Sequence, residues 1–168
     1  LVDHDSLTGL LNRHGLENAM KIAADAVIKG KPCALSHVDL DRFKQVNDAM
    51  GHDVGDRVLL IASQRLAEQL PANALLTRWG GDEFVVVLEG SENLQATAHQ
   101  IAHKLVHAIG QPFDMEGQTV SLGLSVGVSF FPTDAVDHQN LILAADLAVA
   151  EVKRNGRGQV FDYCDSYS

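Results

Sequence analysis

Hydrophobic and polar residues recur along this chain with two periods, and the switch between them marks its elements. Leu16, Ala19, Ala23 and Val27 repeat at helical spacing, which predicts a helix over 15–28 ended by Gly30-Lys31-Pro32. An apolar run over 33–40 reads as a strand and 43–49 as a short helix stopped near Gly51. Val58, Leu59, Ala62, Leu66 and Leu70 form the apolar face of a longer helix, with Asp53 as its cap and Pro71 as its breaker. Two apolar runs, 75–79 and 83–88, flank Gly80-Gly81-Asp82, a β-hairpin signal in which the glycines would supply positive φ. A helix follows over 94–109. Over 119–131 the period becomes two: Val120, Leu122, Leu124, Val126, Val128 and Phe130 share one face of a strand. Ser121, Gly123, Ser125, Gly127 and Ser129 share the other, a small-residue face read as a surface for close packing. A long helix over 141–154 and a short strand near 159–161 complete the chain. Helix and strand patterns alternate, so the fold is layered, α/β or α+β.

Composition narrows the function. The 168 residues make one domain, and 46% hydrophobic with 21% charged residues is globular. Thirteen Lys and Arg against 22 Asp and Glu give a net charge of −9, without the basic field that nucleic-acid binding needs. No apolar run reaches the length of a membrane span, so direct membrane contact is not expected. Two cysteines, Cys33 and Cys164, make no disulfide framework and fit a reducing, cytoplasmic compartment. The chain opens at Leu1 without a signal peptide, as expected of a piece of a longer protein.

Two acidic clusters carry the candidate chemistry. In Asp39-Leu40-Asp41-Arg42-Phe43-Lys44 a strand ends, a helix begins and a lysine follows. A carboxylate there suits Mg²⁺, and free N–H groups at the helix start suit phosphate oxygens. In a plainer reading Asp41 caps the helix and Asp39 is solvated. Gly80-Gly81-Asp82-Glu83-Phe84 sets two acids at the head of a strongly apolar strand. If that strand lies beside the first, Asp82 and Asp39 can share one divalent ion, the counter-ion that close carboxylates demand.

Five ordered blocks of the chain resemble the GGDEF domain, the catalytic unit of diguanylate cyclases. Asp5-Ser6-Leu7-Thr8-Gly9-Leu10-Leu11-Asn12-Arg13 is similar to its opening motif. Asp39 to Lys44, Asn47-Asp48, Gly51-His52 and Gly55-Asp56 are similar to its nucleotide-binding block, and Arg78-Trp79-Gly80-Gly81-Asp82-Glu83-Phe84 to its naming motif. Ser125-Val126-Gly127, Ala145-Asp146 and Lys153 with Gly156-Arg157 are similar to its C-terminal blocks. The resemblance implies a single domain over 1–168, with 1–14 leading in and 162–168 opening a linker. It implies an α+β sandwich: a central, mostly antiparallel sheet of five or so strands flanked by helices, nucleotidyl-cyclase-like, with a GGDEF hairpin. It further implies a nucleotidyltransferase that condenses two GTP into cyclic di-GMP and pyrophosphate across a homodimer, with Mg²⁺ or Mn²⁺ as cofactor.

Residue by residue, the resemblance makes Asp39, Asp82 and the Leu40 carbonyl metal ligands. The N–H groups of Arg42 and Phe43, with Lys44, would hold the terminal phosphates, and Asn47 and Asp56 would read guanine. Gly80 and Gly81 would let the substrate approach, and Asp82 or Glu83 would take the proton. His52 falls near the same site or serves the helix start. Lys153 and Arg157, four residues apart, could reach phosphate from one helix face. Pro71 and Ala74 replace the Arg-x-x-Asp pair of product-inhibited members, so no inhibition is expected there. Ala150 stands where the family usually has an aromatic, which would loosen the support of Lys153, and Gly158 where Asn is common. Ile109 to Phe113 and Phe131 to Asp134 look most like GGDEF domains fused to an EAL phosphodiesterase domain, with sensory domains elsewhere. That leaves a second reading, a GTP-binding regulator of such a neighbour. His99, His103 and His107 fall on an outward helix face, His37 reads as a core histidine, and Trp79 as a packing residue.

Overall fold

A computed structural model describes residues 2–27, 31–90 and 92–164, the side chains of 21–27 aside. In chain order the elements are α1 (Arg13–Val27), β1 (Cys33–Asp41), α2 (Phe43–Met50), α3 (His52–Glu68), β2 (Ala74–Arg78), β3 (Glu83–Glu89), α4 (Leu94–Ile109), β4 (Phe113–Met115), β5 (Gln118–Val120), β6 (Gly123–Phe131), α5 (His138–Arg154) and β7 (Val160–Asp162). Five strands form one sheet in the order β2-β3-β1-β6-β7, antiparallel except for the parallel β6–β7 pair. The fold is therefore the expected α+β sandwich.

Strand alternation builds a core on each face of the sheet. Val38, Leu40, Phe84, Val86, Leu124, Val126 and their neighbours pack under α3 and α4. Leu35, Val85 and Val87 pack under Leu16 and Met20 of α1 and Leu141, Ile142 and Ala145 of α5. The nine residues of β1 are all buried, as befits the central strand. Among the described residues no helix is long and apolar enough to cross a membrane.

Four expectations need correction. The period-two run over 119–131 is not one strand: β5 turns back on β4 through Glu116 (φ 50°) and Gly117 (φ 81°), and β6 starts only at Gly123. Alternation continues across the break because Val120 and Leu122 bury into the same core as Leu124, and periodicity reports side, not pairing. Asp53 does not cap α3. Gly51 holds the N-cap position and Asp53 lies within the first turn, where its charge still suits the helix dipole. Asp137, not a residue near 141, starts α5; its carboxylate accepts from Asn140 N at 2.8 Å. The last strand ends at Asp162, inside the stretch expected to open a linker, of which 165–168 lie outside the described residues. The first helix runs over Arg13–Val27, and Ile28 and Gly30, read as its end, also lie outside.

The small-residue face of β6 packs as expected. A Cβ on Gly127 would sit 2.4 Å from both Ala145 O and Val149 N, so α5 lies directly on the strand there. Ser129 Oγ donates to Leu141 O at 2.7 Å.

Candidate active site

The odd-numbered residues of β1 carry the charged groups. Alternation sends His37, Asp39 and Asp41 to the face covered by α5, all three almost fully buried. Register places Glu83 of β3 and Ser125 of β6 opposite Asp39, and Val85 and Gly127 opposite His37. One ligand atom from each of His37, Asp39 and Glu83 lies within 4.8 Å of the others. His37 Nε2 is 2.9 Å from Asp39 Oδ1 and hydrogen-bonds Glu83 Oε1 at 3.3 Å, while Nδ1 is ion-paired with Asp146 of α5. Lys153, also on α5, donates to Asp39 Oδ2.

These partners set the charges. Burial works to raise the Asp39 carboxyl, but His37 and Lys153 beside it hold it below the usual range. Burial opposes charge on His37 too. Asp146, then Asp39 and Glu83, outweigh it and raise the imidazole to about 11. Asp82 goes the other way: burial and the Asp39 charge push its carboxyl up. It is half-buried, and its backbone carbonyl accepts from Leu40 N at 3.1 Å, tying the turn to β1.

The Gly-Gly turn is held from below. Arg78 donates to Gly80 O at 3.2 Å, Gly81 O at 2.9 Å and both carboxylate oxygens of Asp5 at 3.2 Å. Asp5 in turn accepts from Thr8 N and Oγ1, each at 2.8 Å. Neither Gly80 nor Gly81 adopts the positive φ expected of it. Their use is space: a Cβ on Gly80 would lie 2.5 Å from Glu83 Oε2, and Gly81 faces open space. Trp79 packs as expected, beneath the Arg13 guanidinium at 4.1 Å.

The remaining predicted residues surround this centre. Arg42 is the N-cap of α2 in a left-handed conformation (φ 70°, ψ 12°), Phe43 is buried, and Lys44 is exposed. Asp41 does not cap α2. Its carboxylate accepts from Ser125 Oγ at 2.8 and 2.9 Å and from Gly158 N at 3.2 Å. Asn47 Nδ2 is 3.2 Å from His52 Nδ1, and Gly55 makes room for that amide, since a Cβ there would lie 2.0 Å from Asn47 Oδ1. Asp56 is exposed on α3. Lys153 and Arg157 do not share a helix face. α5 ends at Arg154, and Arg157 (φ 65°) lies in the following turn, 3.5 Å from Asp41. His103 and His107 are exposed as expected, along a groove of about 780 Å³ between α3 and α4. His99 is half-buried instead, 2.5 Å from Asp162.

Sequence reasoning passed over the links that organise the site: His37 with Asp146, Asp41 with Ser125, and Arg78 with Asp5. The second was available from period two, which puts residues 37, 39 and 41 on one face and 125 and 127 on its neighbour; the first was not, because Asp146 comes from α5 and strand alternation does not place a helix residue. Nothing local announced the third, because Asp5 and Arg78 are 73 residues apart.

A model of the family "Diguanylate cyclase, GGDEF domain" matches residues 2–159. The chain belongs to the GGDEF family. This GGDEF domain is 36% identical over 162 residues to MucR of Pseudomonas aeruginosa, named a bifunctional diguanylate cyclase/cyclic di-GMP phosphodiesterase, covering 96% of the chain and 23% of MucR. It is 35% identical over 155 residues to NbdA of the same organism, named a cyclic di-GMP phosphodiesterase, covering 92% of the chain and 20% of NbdA. A solved GGDEF domain of TpbB (YfiN) from P. aeruginosa superposes with a TM-score of 0.89 at 36% identity, covering 95% of this chain and 94% of that one. The GGDEF domain spans about a fifth of the length of the first curated relatives it matches.

GGDEF cyclases use a divalent metal, and the donor set here fits one. Asp39 Oδ1 is buried without an aligned hydrogen bond. Burial, and then the charges of Asp39 and Glu83, already disfavour ionisation of Asp82, the situation that a cation resolves.

Proposed function

We propose that this domain condenses two GTP molecules into cyclic di-GMP and pyrophosphate at the interface of a two-fold homodimer. The observation that carries the reading is the meeting of buried Asp39 with Glu83 at the edge of the Gly80-Gly81 turn, Asp39 retaining an oxygen without an aligned donor. Asp39, Asp82 and the Leu40 carbonyl would hold Mg²⁺ or Mn²⁺, which when bound neutralises phosphate charge and acidifies a hydroxyl. Backbone N–H groups of Arg42 and Phe43, with the side chains of Lys44, Lys153 and Arg157, bind the phosphates. Asn47, positioned by His52 and Gly55, and Asp56 read guanine: a carboxylate accepts from its N1–H and N2–H₂, and an amide donates and accepts. Gly80 and Gly81 leave the reacting phosphate room.

The ribose 3′-hydroxyl of one GTP attacks the α-phosphate of the other. A P–O bond forms, the α–β anhydride breaks, pyrophosphate leaves with the electron pair, and the carboxylate of Asp82 or Glu83 takes the hydroxyl proton. Each domain binds one GTP, so two must face each other, and proximity supplies much of the rate.

The test is GTP and Mg²⁺ at rising protein concentration, with nucleotides separated by chromatography. Cyclic di-GMP should appear with second-order dependence on protein. A second reading, a GTP-binding domain that regulates an adjacent EAL phosphodiesterase domain, draws support from the likeness to NbdA. GTP bound but unchanged at every concentration favours that reading.

A further inference from the structure

We propose that Ser125 is a positioning residue for phosphate binding: with Asp41 it latches the turn after α5 to the end of β1, and so sets where Arg157 presents its guanidinium. The proposal rests on the reading of Arg157 as a phosphate-binding residue.

The latch joins β1, β6 and the turn through one hydroxyl. Ser125 of β6 is fully buried, and Asp41 of β1 is 1% exposed. The Ser125 hydroxyl lies 2.8 and 2.9 Å from the two Asp41 carboxylate oxygens and donates to that carboxylate, which can only accept. Its oxygen in turn accepts from Gly158 N at 3.2 Å, and the same amide donates to Asp41 Oδ2 at 3.2 Å.

The turn depends on this hold. A left-handed Gly156 (φ 99°) ends α5, with Arg157 N donating to Val152 O at 3.0 Å. The chain then stays left-handed at Arg157 (φ 65°) and Gly158 (φ 67°). A residue with a side chain disfavours that region, so its surroundings must keep Arg157 there. Gly158 has no side chain to do so, and a Cβ on it would meet nothing within 4 Å, which leaves its amide as the point of attachment. Gln159 O accepts from Val126 N at 3.0 Å, so the chain is pinned to two successive residues of β6. Held in this way, Arg157 is half-exposed with Nη1 3.5 Å from Asp41 Oδ1. Asp41 directly precedes Arg42 and Phe43, whose backbone N–H groups meet phosphate in the reading above. The latch therefore keeps the guanidinium at the end of β1 from which α2 begins.

A serine that only satisfies a buried carboxylate would affect every ligand alike, and independently of Arg157. A serine that acts through Arg157 would not. The experiment is a double-mutant cycle, read as affinity for the α,β-methylene analogue of GTP, which cannot be cleaved, and for guanosine, which has no phosphate. Arg157→Ala should weaken the analogue about tenfold and Ser125→Ala about fivefold, with guanosine affinity unchanged in Ser125→Ala. In the Arg157→Ala background, Ser125→Ala should cost less than about twofold more.

Full additivity of the two substitutions, equal weakening of guanosine, or an unchanged analogue affinity in Ser125→Ala overturns the proposal alone. An unchanged analogue affinity in Arg157→Ala overturns it together with the phosphate reading of Arg157. If Ser125→Ala does not fold, the wild-type protein still decides by nuclear magnetic resonance. The analogue, and not guanosine, should shift both the Arg157 Nε and the Gly158 amide resonances. A shifted Arg157 beside an unmoved Gly158 overturns the latch, and two unmoved resonances overturn both readings.

Discussion

Arg78 makes its three attachments from a single side chain: two carbonyls of the Gly-Gly turn and the carboxylate of Asp5. Arg78→Ala should cost about 1–3 kcal/mol, since it strands these acceptors, read as a lower Tm with reduced turnover. The Asp5 end is pH-sensitive. Burial works against the Asp5 charge, but Thr8 and Arg78 outweigh it and hold the carboxyl below its ordinary value. A depressed folded pKa means stabilisation that is complete above the unfolded value, about 4, and is lost as pH falls through the folded one. The difference in stability between wild type and Asp5→Asn, followed by denaturant titration, should accordingly shrink under acid. Asp82→Ala should abolish turnover while leaving Tm unchanged or raised, because it removes a carboxylate that Asp39 and Glu83 already disfavour. Cys33 is buried, and burial with the nearby Glu89 charge raises its thiol to about 11. A thiol reagent at neutral pH should label Cys164 first and Cys33 only on unfolding. At this scale the acids and lysines of the site were legible as residue types in recognisable spacings. The partners that set their charges were not, since His37 reads as an ordinary core residue until the pleat places it beside Asp39.

The elements were legible wherever one period ran between clear breakers, as in α4, found over Leu94–Ile109 as expected. They were misread where two elements shared one hydrophobic side, as β5 and β6 do, and where spacing of i, i+4 was taken to mean a helix that had already ended, as for Lys153 and Arg157. Close approach of elements is also invisible to periodicity. Gly127 admits α5, and the two atoms nearest a new Cβ are helix backbone, with the Ala148 Cβ next at 2.9 Å. Gly127→Ala must therefore displace the helix, and about 1–3 kcal/mol of destabilisation is expected in chemical denaturation. Because Asp146 and Lys153 ride on the displaced helix, turnover should fall with it. Gly123→Ala makes the control on the same strand, its Cβ meeting the Asp41 side chain at 3.2 Å instead of helix backbone.

For the whole molecule, the layered architecture followed from alternating helix and strand patterns, and the family from five blocks in order. Strand order did not, because the sequence gives no pairing for a strand that joins its neighbours from 40 or more residues away, as β1 does with both β3 and β6. That order puts β1, with Asp39 near its end, between partners on both sides, while the turn carrying Asp82 is joined to the rest through the end of β3, one backbone bond to Leu40 and the grip of Arg78. The two halves of the site should therefore differ in how readily they open. In deuterium exchange, amides of 34–40 should be among the last to exchange, while those of Gly81 and Asp82 exchange orders of magnitude sooner. If so, one carboxylate is anchored where the protein should yield only on global unfolding, and the other on a segment that should breathe on its own.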